Sequence, residues 1–112
     1  AIGETSWGCN AWTIIGRNLL ASGSCNNIEY NKSGIGAQAI IFKDNSIDFE
    51  VQNGGGTAGG SYTPAPKVQI FSDGKVKISS LPVFADDVSA GSGGLTTGYL
   101  YQTATGELRI KL

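Results

Sequence analysis

The sequence predicts an all-β protein, and three observations support this prediction. Glycine accounts for 17 of the 112 residues, which disfavours helices. No segment of about 11 residues or more keeps its apolar side chains at helical spacing. Short β-like runs instead alternate with clusters of Gly, Ser, Asn and Asp, the residue types that favour turns. We therefore expect short strands joined by tight turns.

The first part of the chain, residues 1–42, is predicted to be β-roll-like. It is rich in Gly, Ser and Asn and carries short apolar insertions. These insertions meet Gly or Asn about every six to ten residues, which suggests the tight coils of a β-roll or β-solenoid. The run 39–42 at its end is long enough for a strand.

The second part, residues 43–112, is predicted to consist of β-hairpins. Asp44 and Asn45 predict a turn before a strand at residues 46–51. Strict alternation in that strand separates its apolar side chains from its carboxylates. The two sets are Ile47, Phe49 and Val51 on one face, and Asp48 and Glu50 on the other. We interpret both carboxylates as solvated surface charge.

Glycines are densest between residues 53 and 61, where we expect a flexible loop. The stretch lacks the Gly-Lys-Ser/Thr ending of a phosphate-binding loop, which argues against nucleotide binding.

Residues 67–78 form the clearest local pattern, two alternating runs around Asp73 and Gly74. A three-residue loop, Ser72 to Gly74, would pair Ile70 with Val76 and Val68 with Ile78. We prefer this loop to a two-residue one, which mixes apolar and charged side chains on one face. It requires Gly74 in the left-handed conformation.

A second hairpin is predicted at the end of the chain, where residues 98–102 and 107–112 flank a turn. A four-residue loop would pair Tyr101 with Leu108 and Tyr99 with Ile110, which gives an aromatic–aliphatic face. A shift of one residue would instead place Leu100 opposite Ile110, so the register stays open.

Charge and composition argue against several classes of function. Eight Lys and Arg balance nine Asp and Glu, for a net charge of −1, without a basic run for nucleic acid or anionic membranes. The chain has no apolar stretch of about 18 residues, so the sequence does not predict membrane insertion. The absence of His excludes nucleophile–His and imidazole–metal sites. The pair Asp86 and Asp87 is interpreted as solvated charge. We predict no catalytic residue, no cofactor and no metal, and hence no enzyme.

Cys9 and Cys25 allow two interpretations, a disulfide across a short loop or two small buried thiols, and we favour the thiols. Three aromatic side chains in the polar first third, Trp7, Trp12 and Tyr30, are candidates for stacking on a surface glycan. For the two Trp residues we favour packing in a small core or an oligomer interface.

The predicted sheet has few strands and several one-sided faces, so it would be marginal alone. A symmetric homo-oligomer would cover those faces. The chain begins at Ala1 without Met, and we expect it to be processed or cut from a longer chain.

Two stretches carry a family resemblance. Residues 68–78 follow the pattern apolar-x-apolar-x-Ser-x-Gly-x-apolar-x-Ile, and residues 94–106 follow Gly-Leu-x-x-Gly-x-Leu-Tyr-x-Thr-x-x-Gly. Residues 46–79, an alternating strand, a Gly-rich gap and a hairpin with the first pattern, resemble a unit of bacteriophage tail-fibre and related virion proteins. Residues 81–110, which contain the second pattern, are similar to the C-terminal ending of many phage structural proteins. Residues 11–37 resemble, more faintly, the repeats of trimeric β-roll heads in fibres and adhesins.

This resemblance implies a homotrimeric fibre segment with intertwined strands, closed by the C-terminal hairpin. Its trimer-interface candidates are Leu95, Tyr99, Tyr101, Leu108 and Ile110. It implies a virion protein, made in the host cytoplasm, whose partners are its own copies and other virion proteins. A glycan or protein receptor on the host surface is a further expected partner. The alternatives are a capsid decoration or head-fibre module, and a monomeric carbohydrate-binding or adhesin module.

Overall fold

A computed structural model describes residues 2–4, 12–21 and 27–112. Trp7, Cys9 and Cys25 lie outside the described residues, and with them both interpretations of the cysteines. Antiparallel strands dominate the described part, which confirms the all-β prediction. The chain divides into two compact units, Ala1–Ser79 and Ser80–Leu112.

The first unit is built on a six-stranded antiparallel sheet with the strand order β1-β2-β5-β6-β7-β8. Its strands are β1 (Ile2–Glu4), β2 (Thr13–Arg17), β5 (Ala37–Phe42), β6 (Ser46–Gln52), β7 (Pro66–Phe71) and β8 (Val76–Ile78). Two further strands, β3 (Leu19–Ala21) and β4 (Ile28–Tyr30), form a separate antiparallel pair. The described strands of residues 1–42 thus differ from the stacked coils of a β-roll, since each pairs antiparallel with a neighbour.

The boundary between the units also differs from the sequence prediction. The predicted boundary between residues 42 and 43 falls at the turn between β5 and β6, which pair along their whole length. Lys43 donates its backbone N–H to Ser46 across that turn, at 2.8 Å, so Asp44 and Asn45 form the predicted two-residue loop. The ladder of hydrogen bonds holds both sides of the predicted boundary in one unit.

The hairpin of β7 and β8 has the predicted register. Val68 lies opposite Ile78 and Ile70 opposite Val76. Gly74 closes the three-residue loop with φ at 86°, in the left-handed region that the sequence pattern requires.

The second unit contains one short helix, α1 (Asp87–Ser92), and a hairpin of β9 (Leu100–Gln102) and β10 (Leu108–Ile110). Of the two registers that the sequence left open for this hairpin, the shifted one forms, with Leu100 opposite Ile110. The backbone N–H of Thr103 donates to Glu107, and Gly106 has φ at 87°. This is the loop geometry of the first hairpin, because a left-handed glycine at the third loop position again closes the turn.

Asp86 is exposed and Asp87 is partly exposed, in agreement with their interpretation as solvated charge, and both residues also organise α1. Asp86 caps the helix, because its carboxylate accepts the backbone N–H of Ser89 at 2.7 Å. Asp87 accepts from the Lys111 ammonium and the Leu112 N–H, each at 2.9 Å. These bonds fasten the end of the chain to the helix within this unit. Among the described residues, no helix has the length and apolar character to cross a membrane.

Candidate functional site

The central sheet presents two faces of opposite character, and the one we call the open face is left accessible. Strand alternation and register line up its side chains in rows across five strands. They are Thr13, Ile15 and Arg17 of β2; Gln38, Ile40 and Phe42 of β5; Ile47, Phe49 and Val51 of β6; Val68 and Ile70 of β7; and Val76 and Ile78 of β8.

The open face is apolar except for one polar edge. Its most accessible apolar side chains range from 36% exposed for Ile78 to 62% for Val76. The polar residues are Thr13, Arg17 and Gln38, and the Arg17 guanidinium donates to the Gln38 side chain at 3.1 Å. A shallow depression in this face is bordered by Ile15, Ile40, Phe49 and Val51. Most apolar positions here are thus partly in contact with water in the single chain.

The opposite face, which we call the covered face, carries the core of the first unit. Its side chains from the central strands pack beneath the β3–β4 pair and the segment after β6. The core cluster consists of Ile14, Leu19, Ile28, Tyr30, Ala37, Ala39, Ile41 and Tyr62. The covered face also holds both carboxylates of β6, since Asp48 and Glu50 are 0% and 1% exposed. The interpretation of these carboxylates as solvated surface charge was therefore wrong.

Asp48 is stabilised in the interior as an anion. The Lys43 ammonium lies 2.6 Å from one of its oxygens, and Ser46 and Gln69 donate to the other at 2.7 and 3.1 Å. Burial by itself would raise the pKa of Asp48, but these hydrogen bonds outweigh it and hold the pKa below its ordinary value. Lys43 also lies over the Trp12 ring, 4.5 Å from its centroid.

Glu50 fastens the segment that follows β6. One of its oxygens accepts the Tyr62 hydroxyl at 2.8 Å and the Ala65 N–H at 2.7 Å. Burial, together with the hydrogen bond to Glu50, raises the pKa of Tyr62. The pairing of β6 with β7 is irregular between Phe49 and Glu50, and Glu50 lies opposite Pro66. This carboxylate therefore bonds to groups that both belong to the segment after β6.

The Gly-rich stretch is a loop, as predicted, and it packs closely on β4. Tyr30 exchanges two backbone hydrogen bonds with it, to Gly60 at 3.0 Å and from Gly59 at 2.8 Å. A Cβ on Gly55 would lie 2.1 Å from the Ile35 carbonyl oxygen, and one on Gly56 would lie 2.4 Å from the Tyr30 ring. Glycine is needed at both positions because backbone and ring approach so closely.

The glycan-binding candidates do not form an exposed aromatic platform within the described residues. Tyr30 is buried in the core, where its hydroxyl donates to Gln52 at 3.1 Å and its ring packs edge-on against Tyr62. Trp12 is half-buried and packs against the same core. Trp7 lies outside the described residues.

The trimer-interface candidates, all in the second unit, fall into different environments. Tyr101 is buried there, with its ring edge-on to Phe84 at 6.2 Å between centroids. Leu95 is half-buried, whereas Tyr99, Leu108 and Ile110 are exposed. Exposed Leu100, opposite Ile110, and exposed Val83, bridged to Gln102, extend the apolar patch that contains Leu108 and Ile110. Neither Val83 nor Leu100 is among the trimer-interface candidates predicted from the sequence.

No group of three or more Cys, Asp or Glu side chains in the described part of the chain is arranged to hold a metal ion. Comparison of the chain with protein-family models, with curated proteins and with solved structures finds no match. The open face is an extended apolar surface among the described residues, and its chemistry suits burial against another apolar surface.

Proposed function

We propose that the chain is a structural module of a virion fibre or appendage. It assembles with copies of itself into a homotrimer and contributes to attachment to a host surface. The observation that carries this proposal is the open face, an array of aliphatic and phenyl groups across the central sheet. Such an array costs free energy in water and is covered in a stable assembly.

The interior of the first unit supports a structural role. Its two buried carboxylates are both held by hydrogen bonds to the same chain, so they act as internal fasteners. We propose that the module carries out no chemistry and needs no cofactor, nucleic acid or inserted membrane segment. The resemblance of residues 68–78 and 94–106 to phage structural proteins supports the virion as its location, with other virion proteins as neighbours.

The solution mass, measured by light scattering on a sizing column, tests the assembly. We expect a mass of about three chains, since a trimer covers an apolar face in each copy by closed symmetry. A mass of one chain across micromolar concentrations would overturn the proposed homotrimer. In that case, quenching of tryptophan fluorescence by added sugars would support a monomeric carbohydrate-binding module.

The attachment role has a separate test. The purified trimer, labelled with a fluorophore, is mixed with host cells and, in parallel, with capsids that lack the module. Binding to cells supports host attachment through a surface glycan or protein receptor. Binding to capsids alone would assign the module to capsid decoration or a head fibre.

A further inference from the structure

We infer that copies of this chain associate through the open face of the first unit, not mainly through the C-terminal hairpin. This inference rests on the proposed self-assembly and names the surface that carries it. The family resemblance had pointed to the hairpin, but the open face has the larger apolar array.

The open face is large enough to form the greater part of one side of a protein interface. Its six most accessible apolar residues together expose roughly 560 Å², if a fully accessible large apolar residue exposes about 200 Å². Those side chains are Ile15, Phe42, Val51, Ile70, Val76 and Ile78. The half-buried side chains between them, such as Phe49, add to this area. A stable protein interface buries about 800 Å² on each partner. A small ligand would cover only part of such a surface.

The placement of charge favours a second copy over a transient partner. Lys75 and Lys77 flank Val76 in sequence, and alternation directs them away from the open face. Lys43 faces the covered side, where it pairs with Asp48. Within the described strands β2 and β5 to β8, Arg17 is the single charged residue of the open face, and it lies at one end beside Gln38. Obligate interfaces between identical chains have this composition, with an apolar centre and charges confined to the margin.

Single lysine substitutions at exposed positions test the inference. Ile70→Lys and Val76→Lys each place an ammonium on the open face, where the accessible side chain leaves room for it in the folded chain. Leu108→Lys does the same on the hairpin patch, and Val88→Lys on an exposed position of α1 is the matched control. Sedimentation velocity over a concentration series gives the association constant of each variant, and circular dichroism checks its fold.

We expect Ile70→Lys and Val76→Lys to weaken association at least about tenfold, because a buried unpaired charge opposes assembly. Leu108→Lys and Val88→Lys should change it less than about threefold. Association that is unaffected by both open-face variants, or lost only in Leu108→Lys, would overturn the inference and leave the proposed homotrimer standing. A wild-type chain that stays monomeric would instead contradict the proposed homotrimer. Failure of the inferred interface and failure of the proposed function therefore give different results.

Discussion

The two faces of the central sheet depart at several positions from the usual distribution of polar and apolar side chains. The covered face buries Asp48 and Glu50, whereas the open face leaves Ile15, Ile70 and Val76 in water. Both faces belong to the same strands, so alternation alone assigns each residue to its side. What decides which side is covered is the chain that packs on it.

Hydrophobicity along one strand is therefore a poor guide to its buried side when nearby groups can hydrogen-bond to the buried carboxylates. Asp48 finds Lys43, Ser46 and Gln69, and Glu50 finds Tyr62 and Ala65. These partners offset much of the cost of burying a carboxylate. The apolar side of the strand is then available for a different contact.

The largest effect on stability is expected from Ile14→Ala, because Ile14 and its neighbour Ile15 on β2 point to opposite faces of the sheet. Ile14 is 2% exposed on the covered face, and Ile15 is 44% exposed on the open face. Ile14→Ala should lower the free energy of unfolding by about 3 to 4 kcal/mol, because it leaves a cavity in the core. Ile15→Ala should cost less than about 1 kcal/mol in the dilute chain. Denaturant titration of both variants measures the difference, and equal losses would contradict the assignment of the faces.

A somewhat smaller loss of stability is expected from substitution of Glu50, which tests the hydrogen bonds between this carboxylate and the segment after β6. Glu50→Ala leaves the Tyr62 hydroxyl and the Ala65 N–H without their acceptor, at a cost of about 2 to 3 kcal/mol. Glu50→Gln keeps an acceptor oxygen of the same shape and should recover most of the loss. Thermal unfolding of the two variants decides the point. If alanine and glutamine behave alike, the carboxylate does not fasten this segment.

Local signals allowed much of the fold to be predicted. Asp73 and Gly74 specify one loop and its register, because the loop needs a left-handed residue at its third position. For the second hairpin the sequence pattern left two registers open, because the aromatic–aliphatic pairing was weighed without the position of Gly106. Aligning Gly106 with Gly74 would have given the observed loop.

The open face could be predicted only in part from the sequence. Alternation grouped Ile47, Phe49 and Val51 correctly on one side of β6. No local sequence pattern predicts that Tyr62 and the β3–β4 pair cover the other side, because those contacts join residues far apart in the chain. Helix α1 was not predicted because it is only six residues long. Its sequence, with Asp86 as the capping residue, has the polar composition of an ordinary loop.

An intermediate effect with a defined pH dependence is expected from Asp48. Its pKa in the folded chain lies below the ordinary value of 3.8, so the ion pair adds stability above that pH and loses it as the pH falls through the folded pKa. Asp48→Asn should therefore be less stable than the wild type by about 1 to 2 kcal/mol at neutral pH. The gap should close in acid. Urea titrations at pH 7, 4 and 2.5 measure it, and a gap independent of pH would exclude the ion pair as its source.

The smallest effect on folding is expected from substitution of Val76, which tests whether the open face is buried in the assembly. This side chain is 62% exposed on the edge strand β8, so Val76→Thr should change the unfolding free energy of the dilute chain by less than about 0.5 kcal/mol. Because self-association adds stability in proportion to the logarithm of concentration, the same variant should become measurably less stable than the wild type in concentrated samples. Melting curves over a hundredfold concentration range reveal this divergence. Parallel curves for the two chains would mean that Val76 stays in water in the assembly, and the covered and open faces would then differ only within the single chain.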